Sequence, residues 1–387
     1  MIDTVIRAKI EGIAAGGAGF ARAGGKSLFV DGTVPGETVI CRIAEEHAAW
    51  SQAELLEIEE ASADRVQPAC SLYGICGGCN LQHLSYPAQL AAKTAILQNG
   101  FARITDIEPA VIPSEPWEYR NRMQFHCLRN NGSPSWGLKA RKSADVVPVS
   151  DCPIADPAIR ELLRGDKKTR LALMPPGKDR FTVYARGGML LSEGGDERGK
   201  TQILDRRLAL DAGAFFQSNG AMLEKLVADL QKIAADLSQD SRSMPMADLY
   251  CGVGTFAAFL GEFFDGADLV EENKTALALA RENLAHVKPV HFIAQRGEHW
   301  IKNGKKRRYG FVIADPPRQG LGRTLASGLA SDGPPLLAYV SCDPATLARD
   351  SETLIAGGYK LEKIQFYDFY PQTSHIESLA LFKKPDL

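Results

Sequence analysis

The chain has 387 residues, 45% hydrophobic and 24% charged, which is the composition of an ordinary globular protein too long for one core, and three domains are expected. No apolar run approaches the roughly 20 residues a membrane helix needs, and the start, MIDTVIRAKIEG, has neither a basic and then apolar leader nor an Arg- and Ser-rich transit composition, so a membrane protein is excluded and a cytoplasmic one expected. A net charge of -2 argues against a general polyanion binder, so any nucleic-acid contact must come from a local basic surface.

Residues 1–59 read as short strands broken by glycines, the pattern of a small β-barrel. Gly19, Phe20, Ala21 and Arg22, then Gly25, Lys26, Phe29 and Val30, then Pro35, Gly36 and Glu37 resemble the TRAM domain, an OB-like RNA-binding module. With five basic against ten acidic residues up to Glu60, such a barrel would touch RNA through a limited face. Residues 60–205 form the expected central domain, with strand-like runs such as 182–191 and one helix over 87–101 able to pack on either neighbour. Between Trp117 and Lys142, Arg120, Arg122, Arg129, Lys139, Arg141 and Lys142 face the single acid Glu118, with Tyr119, Phe125 and Trp136 interleaved. Two readings are open: a surface that grips RNA by stacking and phosphate contacts, or a strand hairpin with its aromatics in the core. A second cluster, Lys305, Lys306, Arg307 and Arg308, reads as a solvated turn. From 206 to 387 apolar strands alternate with amphipathic helices, an α/β doubly wound, mostly parallel sheet.

In MADLYCGVGTFAAFLG a strand ends near Tyr250 and a glycine turn opens a helix, so Gly252 and Gly254 let a ligand approach the backbone. About twenty residues later Glu271 ends a second strand, placed to accept hydrogen bonds from ribose hydroxyls. These features alone fit a dinucleotide as well as S-adenosylmethionine, since GVGTFA satisfies G-x-G-x-x-A. A third strand, FVIADPPRQGL, decides for a Rossmann-like methyltransferase domain, because Asp315, Pro316 and Pro317 resemble the D-P-P elements of methyltransferases acting on nucleic-acid bases. The prolines stiffen the strand exit and fix Asp315 beside the cofactor.

The strand in LLAYVSCDPATLARD ends at Ser341 and Cys342, with Asp343 a natural N-cap and Pro344 at the first helical position. A cysteine at a helix start is expected to favour thiolate, which suits a nucleophile. Addition of a thiolate to carbon 6 of uracil turns carbon 5 into an enolate-like carbon able to take a methyl group, and a base must then remove the carbon 5 proton. Glu377 is the preferred base and His375 the lesser candidate. In CSLYGICGGCNLQH, Cys70, Cys76 and Cys79 with the distant Cys152 suit an iron-sulfur cluster, a four-thiolate zinc site or, for CGGC alone, a redox pair.

FFQSN at 215–219, DLYCGVGTF, Glu271, DPPR, YVSCDP and HIES, in this order, resemble the class I RNA uracil-5-methyltransferases, and among them the bacterial 23S rRNA type with a TRAM domain and an iron-sulfur cluster. The resemblance implies that Gln217, Tyr250, Glu271 and Asp315 contact S-adenosylmethionine, that Cys342 is the nucleophile and Glu377 the base, and that Cys70, Cys76, Cys79 and Cys152 hold a 4Fe-4S cluster. Thr255 joins the expected cofactor contacts, standing where tRNA-modifying members have Asn. The expected partner is 23S rRNA in a single-stranded or loop region, and the expected state a monomer. Methylation of tRNA at the same atom and a noncatalytic RNA-binding or assembly protein are the rival readings.

Overall fold

The computed structural model describes residues 4–128, 135–303 and 307–384; Arg129, Lys305 and Lys306 lie outside the described residues. Strands Val5–Lys9, Gly12–Ile13, Gly19–Ala23, Lys26–Val30, Thr38–Glu46 and Trp50–Glu60 make one six-stranded sheet. Bulges between Thr38–Glu46 and Trp50–Glu60 let this sheet curl around Ile10, Leu28, Val30, Val39, Cys41 and Ala53.

The central sheet is antiparallel, in the order Val146–Pro148, Ser135–Lys139, Arg122–Leu128, Arg180–Arg186 and Met189–Ser192. Phe125, Trp136 and Phe181 meet inside it with ring centroids 4.5 to 5.7 Å apart. The Trp136 indole N–H donates to the Arg170 carbonyl at 2.7 Å. The aromatic half of the RNA-gripping reading is thereby corrected: Tyr119, Phe125 and Trp136 are buried and Trp117 packs on the same core, so they build the domain instead of stacking on bases. Of the cluster read as a solvated turn, Arg307 is not simply solvated, because it donates to Asp268 at 2.6 Å.

The largest sheet has eight strands, ordered Val290–Ile293, Ala267–Val270, Met246–Leu249, Phe311–Ala314, Leu336–Ser341, Glu377–Lys383, Lys360–Tyr367 and Ala110–Ile112. Glu377–Lys383 runs against its neighbours and the rest are parallel. Helices cover both faces, so the inner strands are buried along their whole length and read as continuous apolar runs. Alternate residues serve the two faces: Met246, Phe311 and Ile313 enter one core, while Ala247, Leu249, Val312 and Ala314 enter the other.

Some elements cross the divisions expected from the sequence. Ala110–Ile112, in the stretch expected to be central, is an edge strand of the eight-stranded sheet, and the hairpin of Arg198–Ile203 with Arg206–Asp211 straddles 205/206. Pairing of this kind depends on a distant partner and has no local signature. Helix Tyr86–Phe101 buries Leu97 and Phe101 against one face of the eight-stranded sheet, and Ala92 against Ile13 and Val34 of the barrel. Its Lys93 is fully buried, donating to Asp368 at 2.7 Å and to the Tyr370 carbonyl at 2.8 Å. No helix among the described residues is long and apolar enough to cross a membrane.

Candidate active site at the end of the sheet

Strand register decides which side chains meet. Leu249 lies beside Val270 and Ala314, so the residues that follow, Tyr250, Glu271 and Asp315, leave the sheet at one level. Ser341 pairs with Ser378 in the antiparallel ladder, so Cys342 and Glu377, each one residue further, come opposite each other. The Ser378 hydroxyl adds a bond to the Ser341 carbonyl at 3.2 Å. These five residues, with Gln217, Gly252 and Thr255, line one cavity of about 800 Å³.

The two glycines of the turn do different work. Gly252, at φ 54°, faces open space on the cavity, where a ligand can reach the backbone. Gly254 does not line the cavity; at φ 77° a Cβ there would sit 2.6 Å from Leu284 and 3.1 Å from Ala280, so this glycine lets helices pack behind the site. Tyr250 holds φ 61°, a left-handed conformation that costs a non-glycine about 1 kcal/mol or more. The Glu271 carboxylate is oriented in advance, accepting from the N–H of Gly252 at 3.0 Å and of Asn273 at 2.7 Å.

The cavity is poor in compensation for its acids. Gln217 donates to Asp315 at 3.2 Å, yet Gln217 Oε1 and Glu377 Oε1 are buried without a hydrogen-bond partner. Burial pushes the Asp315 carboxyl up to about 7. Glu377 is raised well above the carboxylate range by burial and then by the charge of Asp315. The expected helix start is present, with Asp343 accepting from the Thr346 N–H at 2.9 Å and Pro344 opening helix Pro344–Ala356. The thiolate expected from it is not favoured, however. Burial, Glu377 and Asp315 push the Cys342 thiol up to about 12 against the pull of Arg318, outweighing a helix end worth only about 1 kcal/mol. His375 is exposed overall but sets its ring edge-to-face against Tyr370, and burial of the imidazole with the charge of Arg318 lowers it to about 4, making it a weak base.

Other lining residues escaped the sequence reading as site residues. Arg120, Arg122 and Arg318 place cations on the wall, and Phe215, 59% exposed, carries the Arg122 guanidinium 5.7 Å from its ring centroid. Tyr370 has no motif around it to mark it. Asp248 does not line the cavity, and could have been noticed as an acid inside an apolar strand: it is fully buried, accepts from the Ala257 N–H at 3.0 Å, and is pushed up to about 8 by burial.

Cys70, Cys76, Cys79 and Cys152 line a separate cavity of about 450 Å³. Burial raises Cys79 to about 12 and Cys152 to about 11, partly opposed by Arg120. No group of three or more His, Cys, Asp or Glu among the described residues is placed to hold a metal ion. The four thiols surround a volume; sequence spacing could bring them to one place but could not set their convergence.

The profile of the tRNA (uracil-5-)-methyltransferase family matches residues 198–385, and that of the TRAM domain residues 1–56. A Treponema denticola protein described as an uncharacterized RNA methyltransferase is 33% identical, over 93% of this chain and 94% of its own length. The 23S rRNA (uracil(1939)-C(5))-methyltransferase RlmD of Shewanella woodyi is 31% identical over 95% of this chain and 93% of its own length. The fold matches that of the Pyrococcus abyssi tRNA (uracil-54, C5)-methyltransferase in complex with S-adenosyl-L-homocysteine, with a TM-score of 0.75, 23% identity, and coverage of 97% of this chain and 100% of that one. Fold, site register and near full-length relatives agree, and the chain belongs to the RNA uracil-5-methyltransferase family.

Proposed function

We propose that this chain transfers a methyl group from S-adenosylmethionine to carbon 5 of a uridine in 23S rRNA, with Cys342 as nucleophile and Glu377 as base. The observation that carries this reading is the meeting of Cys342 and Glu377 across the Ser341–Ser378 pair, with Asp315 lining the same cavity. S-adenosylmethionine supplies the methyl group on a sulfonium. Glu271, already oriented by two backbone N–H groups, would accept from ribose hydroxyls, and Gln217, Tyr250, Gly252, Thr255 and Asp315 would form the remaining wall, with Gly254 supporting the turn from behind.

Burial raises Cys342 and the two carboxyls, and the sulfonium charge of a bound methyl donor would lower all three. The Cys342 thiol gives its proton to water and the thiolate adds to carbon 6; carbon 5 becomes nucleophilic and takes the methyl group as the sulfur–methyl bond of the donor breaks, leaving a neutral thioether; Glu377, as the carboxylate, then accepts the carbon 5 proton. As that proton leaves, the sulfur–carbon 6 bond breaks and its electron pair returns to Cys342. The target base must be unpaired or flipped to reach the thiol. Arg120, Arg122 and Arg318 are suited to RNA phosphates, and the barrel of residues 1–59 and the central domain of 60–205 would flank the catalytic domain of 206–387 as its RNA-binding parts.

The near full-length relatives named for 23S rRNA support that substrate. Methylation of tRNA is the second reading, favoured by the family profile and by the Pyrococcus abyssi enzyme of like fold. Release of tritium from carbon 5 of labelled uridine tests both: release from 23S rRNA transcripts is expected, release from tRNA alone moves the substrate, and release from neither ends the mechanism. Cys70, Cys76, Cys79 and Cys152 would hold a 4Fe-4S cluster, because soft thiols around one cavity, Cys152 buried and the others half-buried, fit iron and sulfide. Iron and sulfide analysis of anaerobically purified protein checks this, and zinc alone overturns it. The protein is read as a cytoplasmic monomer.

A further inference from the structure

The segment 370–377, which carries Tyr370, His375 and Glu377, is held from outside the catalytic domain. Asn80, one residue after Cys79, donates from Nδ2 to Ser374 Oγ at 3.0 Å and to the Gly16 carbonyl at 2.8 Å, while its Oδ1 accepts from the Ser374 N–H at 2.8 Å. The backbone N–H groups of Asn80 and Leu81 both donate to the Gln372 carbonyl, at 3.1 and 3.0 Å. The barrel presses on the same side chain, since a Cβ at Gly17 would lie 2.3 Å from Asn80 Nδ2.

The segment needs this support. Gln372 is buried in a left-handed conformation, φ 68°, which is unfavourable for a non-glycine unless its surroundings enforce it. Gln89 brackets it, donating to Gln372 Oε1 at 3.0 Å and accepting from its N–H at 2.8 Å, and the Tyr119 hydroxyl donates to the Pro371 carbonyl at 2.9 Å. Glu377 Oε1 has no hydrogen-bond partner, so the backbone must aim this carboxyl. Strand pairing fixes that backbone on one side, and the segment ending at Ile376 fixes it on the other. The cysteine cavity and the catalytic cavity also share a wall, because Arg120 lines both.

We propose that Asn80 is a positioning residue for proton removal: its amide ties the barrel, the cysteine segment and segment 370–377 into one unit that sets Glu377 opposite Cys342. This rests on the reading that Glu377 takes the carbon 5 proton. Misplacement of a reacting group by about 1 Å costs on the order of 10²-fold in rate.

The test uses the full-length protein with its metal content as purified. For Asn80→Ala the expected result is a fall of about 10- to 100-fold in turnover, accumulation of a covalent protein–RNA adduct, and faster amide hydrogen exchange at 371–376. Affinity for S-adenosylhomocysteine and iron content should match wild type. Asn80→Asp keeps the acceptor for the Ser374 N–H but loses both donations, and should fall between the two. Ser374→Ala removes one donated bond and serves if Asn80→Ala does not fold; its adduct should rise with turnover falling less. Wild-type turnover with no adduct in these variants overturns the proposal, as does a loss in which homocysteine-ligand affinity and Tm fall in step with rate. If wild type releases no tritium from any RNA, the reaction reading has failed; exchange at 371–376 then judges the tie alone, and unchanged exchange overturns it.

Discussion

The two cavities that meet at Arg120 both bury ionisable groups, and they leave them short of partners in different ways. The catalytic cavity sets acids beside a thiol, with Glu377 Oε1 and Gln217 Oε1 unpartnered. The cysteine cavity gathers four soft donors with Arg120, Lys139, Arg141 and Lys142 on its wall. A third buried group shows what compensation looks like: Lys93 has both Asp368 and the Tyr370 carbonyl, and it holds helix Tyr86–Phe101 to the catalytic domain. Lys93, with both its partners, belongs to the architecture, and unpartnered oxygens that face a cavity, as in Gln217 and Glu377, mark where something else can arrive.

Cysteine replacements break the comparison most directly. Cys342→Ser should lower tritium release by about 10⁴-fold or more while Tm stays near wild type. Cys79→Ser should do the reverse, lowering Tm and iron content with a smaller loss of rate; equal effects in the two assays would mean that the cavities are not separate in function. Within the catalytic cavity, Glu377→Gln should form the RNA adduct and fail to resolve it, seen as a denaturant-stable band on gels. Normal turnover would place the base elsewhere. Lys93→Ala should cost about 3–5 kcal/mol in denaturant unfolding because it strands the Asp368 charge; a change below about 1 kcal/mol would show the pair to be dispensable.

The smallest effect is a pH dependence. Asp248 is raised to about 8 when folded, so between its ordinary range and pH 8 the folded chain keeps a proton that the unfolded chain releases. Its contribution is therefore present at low pH and lost as pH rises through about 8. Asp315 and Glu377 are raised as well and act with the same sign. Asp248→Asn should flatten the fall in Tm between pH 5 and pH 9 by about 2–4 °C. A parallel curve for the variant would mean that Asp248 is ionised in the fold.

Much of the catalytic site was legible because its signals are local. The glycine turn after an apolar strand, the D-P-P exit, and Asp343 with Pro344 at a helix start are each written within a few residues. The fold class followed from the alternation of apolar strands and helices. Gly254 was legible as a turn glycine but not as a packing one, because Leu284 and Ala280 come from a distant helix. The aromatics of 117–142 were ambiguous for the same reason: composition does not say which face of a strand is covered.

What the sequence determined by itself was therefore a set of local chemistries: a glycine turn after an apolar strand, a cysteine at a helix start, an acid in HIES, four cysteines and a barrel-like beginning. The tertiary structure decided how they meet. Register across Ser341 and Ser378 brought Cys342 to Glu377, while burial and neighbouring carboxylates reversed the thiolate preference of the helix start. Ala110–Ile112 joined a sheet whose other strands begin more than a hundred residues later, and Asn80 reached Ser374 across 294 positions. Local backbone chemistry acts within a turn or two of chain, whereas desolvation and strand pairing depend on what the fold brings from far away.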